Sequence, residues 1–268
     1  MKIFFKKYQA TGNDFVLLDW NPELNLHLTE KVIHRMCDRR FGIGADGLIL
    51  VKYKEGQQPE MIYYNSDGRI GSFCGNGSRA FAKYLYDAGK IRNNEWFEFK
   101  AYDGLHKARI RNKDSSFIDL VMSDVCQIQT DGESYILDSG SPHYVCWKNN
   151  LENVDVVQEG KKIRYSAPFK EKGINVNFVS EDTSHNFLKV KTYERGVEDM
   201  TYSCGTGVVA SVIAWAVKNN IKQGKKSVQV PGGSLEVSFD YLNNCFTNII
   251  LSGPAEKCFE GIYELQIP

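Results

Sequence analysis

Apolar positions along the chain fall into short alternating runs more often than into helical stripes. Ile3–Gln9, Phe15–Asp19, Leu48–Lys54, Met61–Asn65, Trp96–Lys100 and Leu105–Arg111 are five to seven residues each and rich in aromatic or branched side chains. Runs of that length and composition predict strands. Three segments carry a helical period instead. Thr29–Arg40 places Val32, Ile33 and Met36 on one face behind Thr29 as N-cap. Gly75–Asp87 predicts a helix that stops before Gly89. Gly207–Asn219 is apolar on nearly every side, through Val208, Val209, Val212, Ile213, Trp215 and Val217. A helix of that kind is wrapped by other structure.

The pattern repeats. Gly12-Asn-Asp-Phe-Val-Leu-Leu-Asp19 is answered by Gly140-Ser-Pro-His-Tyr-Val-Cys-Trp147, each a polar turn entering an apolar run. Tyr63-Tyr-Asn-Ser-Asp-Gly68 is answered by Thr192-Tyr-Glu-Arg-Gly196, and Cys74-Gly-Asn-Gly77 by Cys204-Gly-Thr-Gly207. After each helix come two strands about a glycine turn, at Asp103-Gly104 and Gly232-Gly233. Gly12 lies 62 residues before Cys74, and Gly140 lies 64 before Cys204. This order predicts two homologous domains, residues 1–124 joined by the tail 256–268, and residues 125–255. Each is expected to be a strand-rich layer enclosing a helix that begins at a cysteine.

Composition narrows the class. The chain has 268 residues, 42% hydrophobic, enough for a substantial core. Its 33 basic and 33 acidic side chains cancel, which removes the electrostatic case for nucleic acid or an anionic membrane as partner. No apolar run reaches the roughly 18 residues of a membrane span, and Met-Lys-Ile-Phe-Phe-Lys-Lys regains charge too soon for a signal peptide. A cytoplasmic protein is the expectation. Seven cysteines without a Cys-x-x-Cys pair indicate neither a disulfide framework nor a zinc site. Most are expected to be inert buried thiols.

Cys74 and Cys204 stand apart. A helix N-terminus presents unpaired N–H groups and about half a positive charge, which favours thiolate at a cysteine placed there. The glycine that follows lets a carboxylate approach the exposed amides. One copy of Cys-Gly-x-Gly is adequately explained as a tight helix entry. Two copies at matched positions suit chemistry that needs a pair: one sulfur removes an α-proton and the other returns one to the opposite face, across a cleft between the domains. No cofactor is strictly required for this, provided oriented dipoles stabilise the carbanion.

Gly12-Asn-Asp-Phe, Arg40-Phe-Gly-Ile-Gly-Ala-Asp46, Asn65-Ser-Asp-Gly, Cys74-Gly-Asn-Gly, Ser141-Pro-His143, Gly173-Ile-Asn-Val-Asn-Phe178, Tyr193-Glu-Arg-Gly196 and Cys204-Gly-Thr-Gly207, taken in order, resemble the diaminopimelate epimerase family. The resemblance implies an α/β (α+β) fold of two pseudo-symmetric domains, each a mostly antiparallel, barrel-like sheet around a central helix. It implies a PLP-independent isomerase interconverting LL- and meso-diaminopimelate for lysine and peptidoglycan precursors, with no metal and a possible homodimer. It makes Cys74 and Cys204 the acid/base pair, with His143 and Glu194 tuning their pKa values. Asn13, Asn65, Asn175, Glu194 and Arg195 become substrate contacts, and the amides of Gly75, Asn76, Gly205 and Thr206 the carboxylate cradle. The physics fits: Arg195 can clamp a distal carboxylate bidentately, and asparagines can serve ammonium or carboxylate.

Three departures from the family pattern bear on recognition of the distal end of the substrate. Gly47 stands where many members carry Gln, Ser141 where most carry Asn, and one extra residue lies between Arg195 and Cys204. A proline or hydroxyproline racemase is the nearest rival, disfavoured by Ser203 before Cys204 where that family has proline. A redox switch in a binding protein is the rival from another class. Gly42-Ile-Gly-Ala-Asp-Gly47 fits a dinucleotide fingerprint only as a string, since it follows a helix and precedes a strand, the reverse of the required order. His34 and Cys37 lack further ligands and are expected to be surface and core.

Overall fold

A computed structural model describes residues 1–111 and 117–265. The chain divides into two compact units, Met1–Leu120 together with the chain from Pro254 onward, and Val121–Gly253. Residues 266–268 of the expected tail lie outside the described residues.

The first unit begins with β1 (Lys2–Ala10), β2 (Asn13–Asp19), α1 (Pro22–His27), α2 (Glu30–Cys37), β3 (Gly47–Lys52), β4 (Glu60–Asn65) and α3 (Gly75–Asp87). It continues through β5 (Phe97–Ala101), β6 (Gly104–Ile110) and β7 (Phe117–Val121). The second unit opens with β8 (Ile128–Asp131), β9 (Ser134–Asp138), β10 (Pro142–Trp147), α4 (Val156–Arg164), β11 (Asn175–Asp182) and β12 (Phe187–Glu194). Then come β13 (Asp199–Thr201), α5 (Gly205–Lys218), β14 (Gln223–Val230), β15 (Gly233–Leu242) and β16 (Cys245–Pro254). The chain returns to the first unit as β17 (Glu256–Glu264).

Both units share one topology. In the first, neighbours run β17-β1-β2-β3-β4-β5-β6-β7, with β2–β3 and β4–β5 parallel and the other pairs antiparallel. In the second they run β8-β9-β10-β11-β12-β14-β15-β16, with β10–β11 and β12–β14 parallel. The short β13 pairs with the C-terminal end of β12. Parallel neighbours need a crossover, and helices occupy each one: α1 and α2, then α3, in the first unit; α4, then α5, in the second.

The inner helices are held from several sides. α3 packs on β1, β2, β3, β4, β6 and β17, and α5 on β9, β10, β11, β12, β14 and β15. Within β2 and β3, Phe15, Leu17 and Ile49 are fully buried, while the alternate residues Val16, Leu18, Leu48 and Leu50 pack with Ile33 and Met36 of α2. These strands are covered on both faces, which is why they read as continuous apolar runs.

Two expectations are corrected. The first concerns α2, which ends at Cys37, three residues short of Arg40. The Asp38 carboxylate accepts the N–H groups of Arg40 and Phe41, both at 2.7 Å, in place of the next helical turn. The second concerns cysteine pairing. Cys126 is disulfide-bonded to Cys245, 119 residues away, because the Val125–Phe246 bridge sets the two side by side. Cys37 and Cys204 are buried thiols, and Cys258 is exposed.

Candidate active site

Cys74 and Cys204 occupy the same local geometry. Each is the N-cap of its inner helix, at φ −124° and ψ 109° for Cys74 and φ −120° and ψ 107° for Cys204. The first intrahelical bonds come from Ser78 N–H to the Cys74 carbonyl, 2.8 Å, and from Val208 N–H to the Cys204 carbonyl, 2.9 Å. The amides of Gly75, Asn76, Gly205 and Thr206 therefore stand ahead of the helical ladder, where an anion could meet them.

Around Cys74, the Gly77 N–H donates to Sγ at 3.3 Å, and Asn13 Oδ1 lies 3.9 Å from the same sulfur. Asn76 Nδ2 donates to Asn13 Oδ1 at 3.1 Å, and Asn13 Nδ2 donates to Asp46 Oδ2 at 2.7 Å. Asp46 and Asp14 share Arg39, which is within 2.7 Å of each carboxylate, and Asp14 also pairs with buried Lys7 at 2.7 Å. Burial alone would raise the Asp14 carboxyl, but its bonds to Arg39 and Lys7 hold it down at about 2. The Gly12-Asn-Asp-Phe turn is thus pinned by charge.

The bonded chain that reaches Cys204 runs through neutral side chains. His143 is completely buried on β10; its Nδ1 receives the amide N–H of Asn177 at 2.9 Å, and its Nε2 lies 2.9 Å from Thr206 Oγ1. Burial first, and the Arg195 charge second, push the imidazole down to about 3, so it is neutral at working pH. With Nδ1 accepting, the proton sits on Nε2 and is donated to Thr206. That leaves the Thr206 hydroxyl hydrogen for the Cys204 sulfur, 3.6 Å away. Asn177 Oδ1 in turn accepts from Thr192 at 2.9 Å. A Cβ on Gly207 would strike that oxygen, so only glycine lets the helix start seat against Asn177.

The remaining residues named by sequence divide. Asn175 donates to Ser141 Oγ at 2.9 Å and to the Pro142 carbonyl at 3.1 Å, while its oxygen accepts the Arg195 N–H at 2.8 Å. It braces the Arg195 turn with both ends of its amide. The Arg195 guanidinium donates to the Lys172 carbonyl at 3.0 Å and lies across Gly173. Glu194 closes β12 beside it, opposite Asp199. Asn65 ends β4 opposite Gly47 with its side chain exposed. At Gly47 a Cβ would stand 2.5 Å from Tyr63 Cε2 and 2.6 Å from the Tyr64 carbonyl; the Tyr63 ring takes the room of a side chain there. In the stretch with the extra residue, Glu198 closes the turn by accepting from Gly196 N–H, Tyr165 and Tyr193, each at 3.0 Å.

Asp46, Asn177 and Thr192 were not singled out by sequence as members of these networks. One signal was present: Asn175 and Asn177 alternate with the apolar Val176 and Phe178 in a strand whose first six residues are buried. His34 Nδ1 donates to the Ser66 carbonyl at 2.9 Å, and Cys37 is buried. Among the described residues no group of three or more His, Cys, Asp or Glu is arranged to hold a metal, and no helix is long and apolar enough to cross a membrane.

Comparison with known proteins places these features in a family context. The family model for diaminopimelate epimerase matches residues 5–126 and 135–257. The diaminopimelate epimerase of Flavobacterium psychrophilum is 44% identical over 260 residues, covering 97% of this chain and 99% of that protein. That of Chlorobaculum tepidum is 35% identical, covering 96% and 99%. Among solved structures, a PhzF-family phenazine biosynthesis protein from Bacillus anthracis superposes with TM-score 0.76 at 14% identity, covering 99% of this chain and 100% of that one. A hydroxyproline epimerase from Agrobacterium vitis gives 0.68 at 12% identity, covering 98% and 91%. The structural matches speak to the fold alone.

Proposed function

The chain belongs to the diaminopimelate epimerase family and is an isomerase that interconverts the LL and meso forms of diaminopimelate; we propose that Cys74 and Cys204 are its acid and base. The observation that carries this reading is the doubling itself: two units of one topology, each placing a cysteine at the N-cap of its inner helix with nearly the same backbone angles. One sulfur, as thiolate, takes the substrate α-proton, and the other, as thiol, delivers a proton to the opposite face. The helix-start amides at Gly75, Asn76, Gly205 and Thr206 receive the α-carboxylate, where negative charge grows as the proton leaves. No redox change or group transfer is involved, so the protein's work is to orient, desolvate and hold protons.

In this reading His143 acts on Cys204 as a neutral donor through Thr206, not as an imidazolium or a general base. Arg195, braced by Asn175, and Glu194 meet the charges of the distal end, with Asn65 as a further contact. Ser141 contributes by holding Asn175. The reaction serves lysine and peptidoglycan precursors in the cytoplasm, and the protein works as the homodimer that the family resemblance implies; sedimentation velocity reads the latter directly.

The test is exchange in D₂O with LL-diaminopimelate under reducing conditions, scoring α-deuterium and the stereoisomer ratio. Wild type should incorporate deuterium and form the meso isomer. Cys74→Ala and Cys204→Ala should each lose epimerisation by a factor of 10³ or more, the scale of losing a proton-transfer group, while keeping wild-type melting. An active single variant would remove the two-thiol scheme.

A further inference from the structure

Arg79 is completely buried, and among the described residues its guanidinium reaches only neutral acceptors: Thr11 Oγ1 at 3.0 Å, Asn76 Oδ1 at 2.8 Å and, more weakly, the Pro254 carbonyl at 3.5 Å. Burying a cation without a carboxylate beside it is costly. At the matched place in the second unit, five residues after its cysteine, stands Val209. The topology therefore does not need the charge. Burial lowers the Arg79 pKa to about 10, and the charge of Cys74 counteracts this.

The bonds from Arg79 have a direction. Guanidinium can only donate, so Asn76 turns its oxygen to Arg79 and its NH₂ outward, to Asn13 Oδ1 at 3.1 Å. At the other end a carboxylate can only accept, so Asn13 turns its NH₂ to Asp46 at 2.7 Å. Arg39 holds Asp46 in place through its other oxygen at 2.7 Å. Both amides are orientated by groups that cannot reverse their role. Neither can flip without setting donor against donor or acceptor against acceptor.

We propose that Arg79 and Asp46 are positioning residues that lock the Asn13 amide oxygen toward the Cys74 sulfur, so that this point of the site accepts hydrogen bonds, from the thiol or a substrate ammonium, and excludes a carboxylate. The proposal rests on the reading of Cys74 as an acid/base thiol and assigns the polarity of its surroundings. It selects the amino side of an amino acid at Asn13 and leaves the carboxylate to the helix-start amides.

The experiment compares Asp46→Asn, Arg79→Met and Arg79→Lys with wild type by the side-chain ¹⁵N–¹H₂ signals of Asn13, assigned by their loss in Asn13→Ala, without substrate. In Asp46→Asn, Arg39 retains the new amide oxygen and turns its NH₂ against Asn13, so those signals should move. Arg79→Met should move them by freeing Asn76, and Arg79→Lys, still a donor-only cation, should restore them. With diaminopimelate, Asp46→Asn should raise KM about tenfold or more, the worth of one hydrogen bond to a charged group, with a much smaller change in kcat. Unmoved Asn13 signals in folded Asp46→Asn overturn the lock, whatever happens to KM. If Arg79→Met fails to fold, Asp46→Asn decides, since Asp46 is 43% exposed and the change is isosteric. The amide signals need no turnover, so they separate failure of the lock from failure of the epimerase reading.

Discussion

Acidification offers a direct check on the neutral bonded chain that reaches Cys204. His143 is fully buried, with Nδ1 accepting from Asn177 and basicity pushed down to about 3 by burial and by Arg195. In the unfolded chain the same imidazole binds a proton near its ordinary value of 6.5. Between these values the unfolded state holds the extra proton, so stability rises with pH across the window and falls on acidification. The loss runs at about 1.4 kcal/mol per pH unit, or about 2 kcal/mol by pH 5 relative to pH 7. Urea unfolding followed by tryptophan fluorescence, with Trp147 and Trp215 as reporters in the second unit, measures it. His143→Gln supplies the reference, because its amide can place an N–H near Nε2 yet does not titrate. The difference in stability between wild type and variant should shrink by about 2 kcal/mol between pH 7 and pH 5. Parallel pH curves for the two proteins would refute the buried neutral imidazole, and with it the donor chain through Thr206.

Two further outcomes are expected. Gly47→Gln should lower stability by about 1–3 kcal/mol in thermal melts, because the new side chain meets the Tyr63 ring; a variant that melts like wild type would mean that the ring swings aside at no cost. Removing the Cys126–Cys245 link, which spans 119 residues, by Cys126→Ser or by reductant should destabilise the second unit by up to about 5 kcal/mol on the loop-entropy account, and identical urea curves with and without reductant would contradict it.

What could be read from the chain alone was what depends on neighbours a few residues apart or on periodicity. The α/β fold with two helices enclosed by strands was legible because the short branched and aromatic runs of β1–β6 and the all-round apolar run in α5 state directly which segments must be buried. The N-cap cysteines were legible because a cap is set by its own residue and the three that follow. Family membership came from motifs kept in order along the chain. The end of α2 was not legible, since a single carboxylate, Asp38, competes with the next helical turn. Nor was the disulfide, because pairing among seven cysteines depends on which strands come together. The side-chain networks needed the tertiary structure most of all. Residues 13, 46, 76 and 79 become one bonded chain, and 143, 177, 192 and 206 another, only when strands from separate segments set them around a helix start. Sequence supplies donors and acceptors, but which way an amide faces, and whether an imidazole carries charge, is decided by the partners that folding puts within about 3 Å and by the water it takes away.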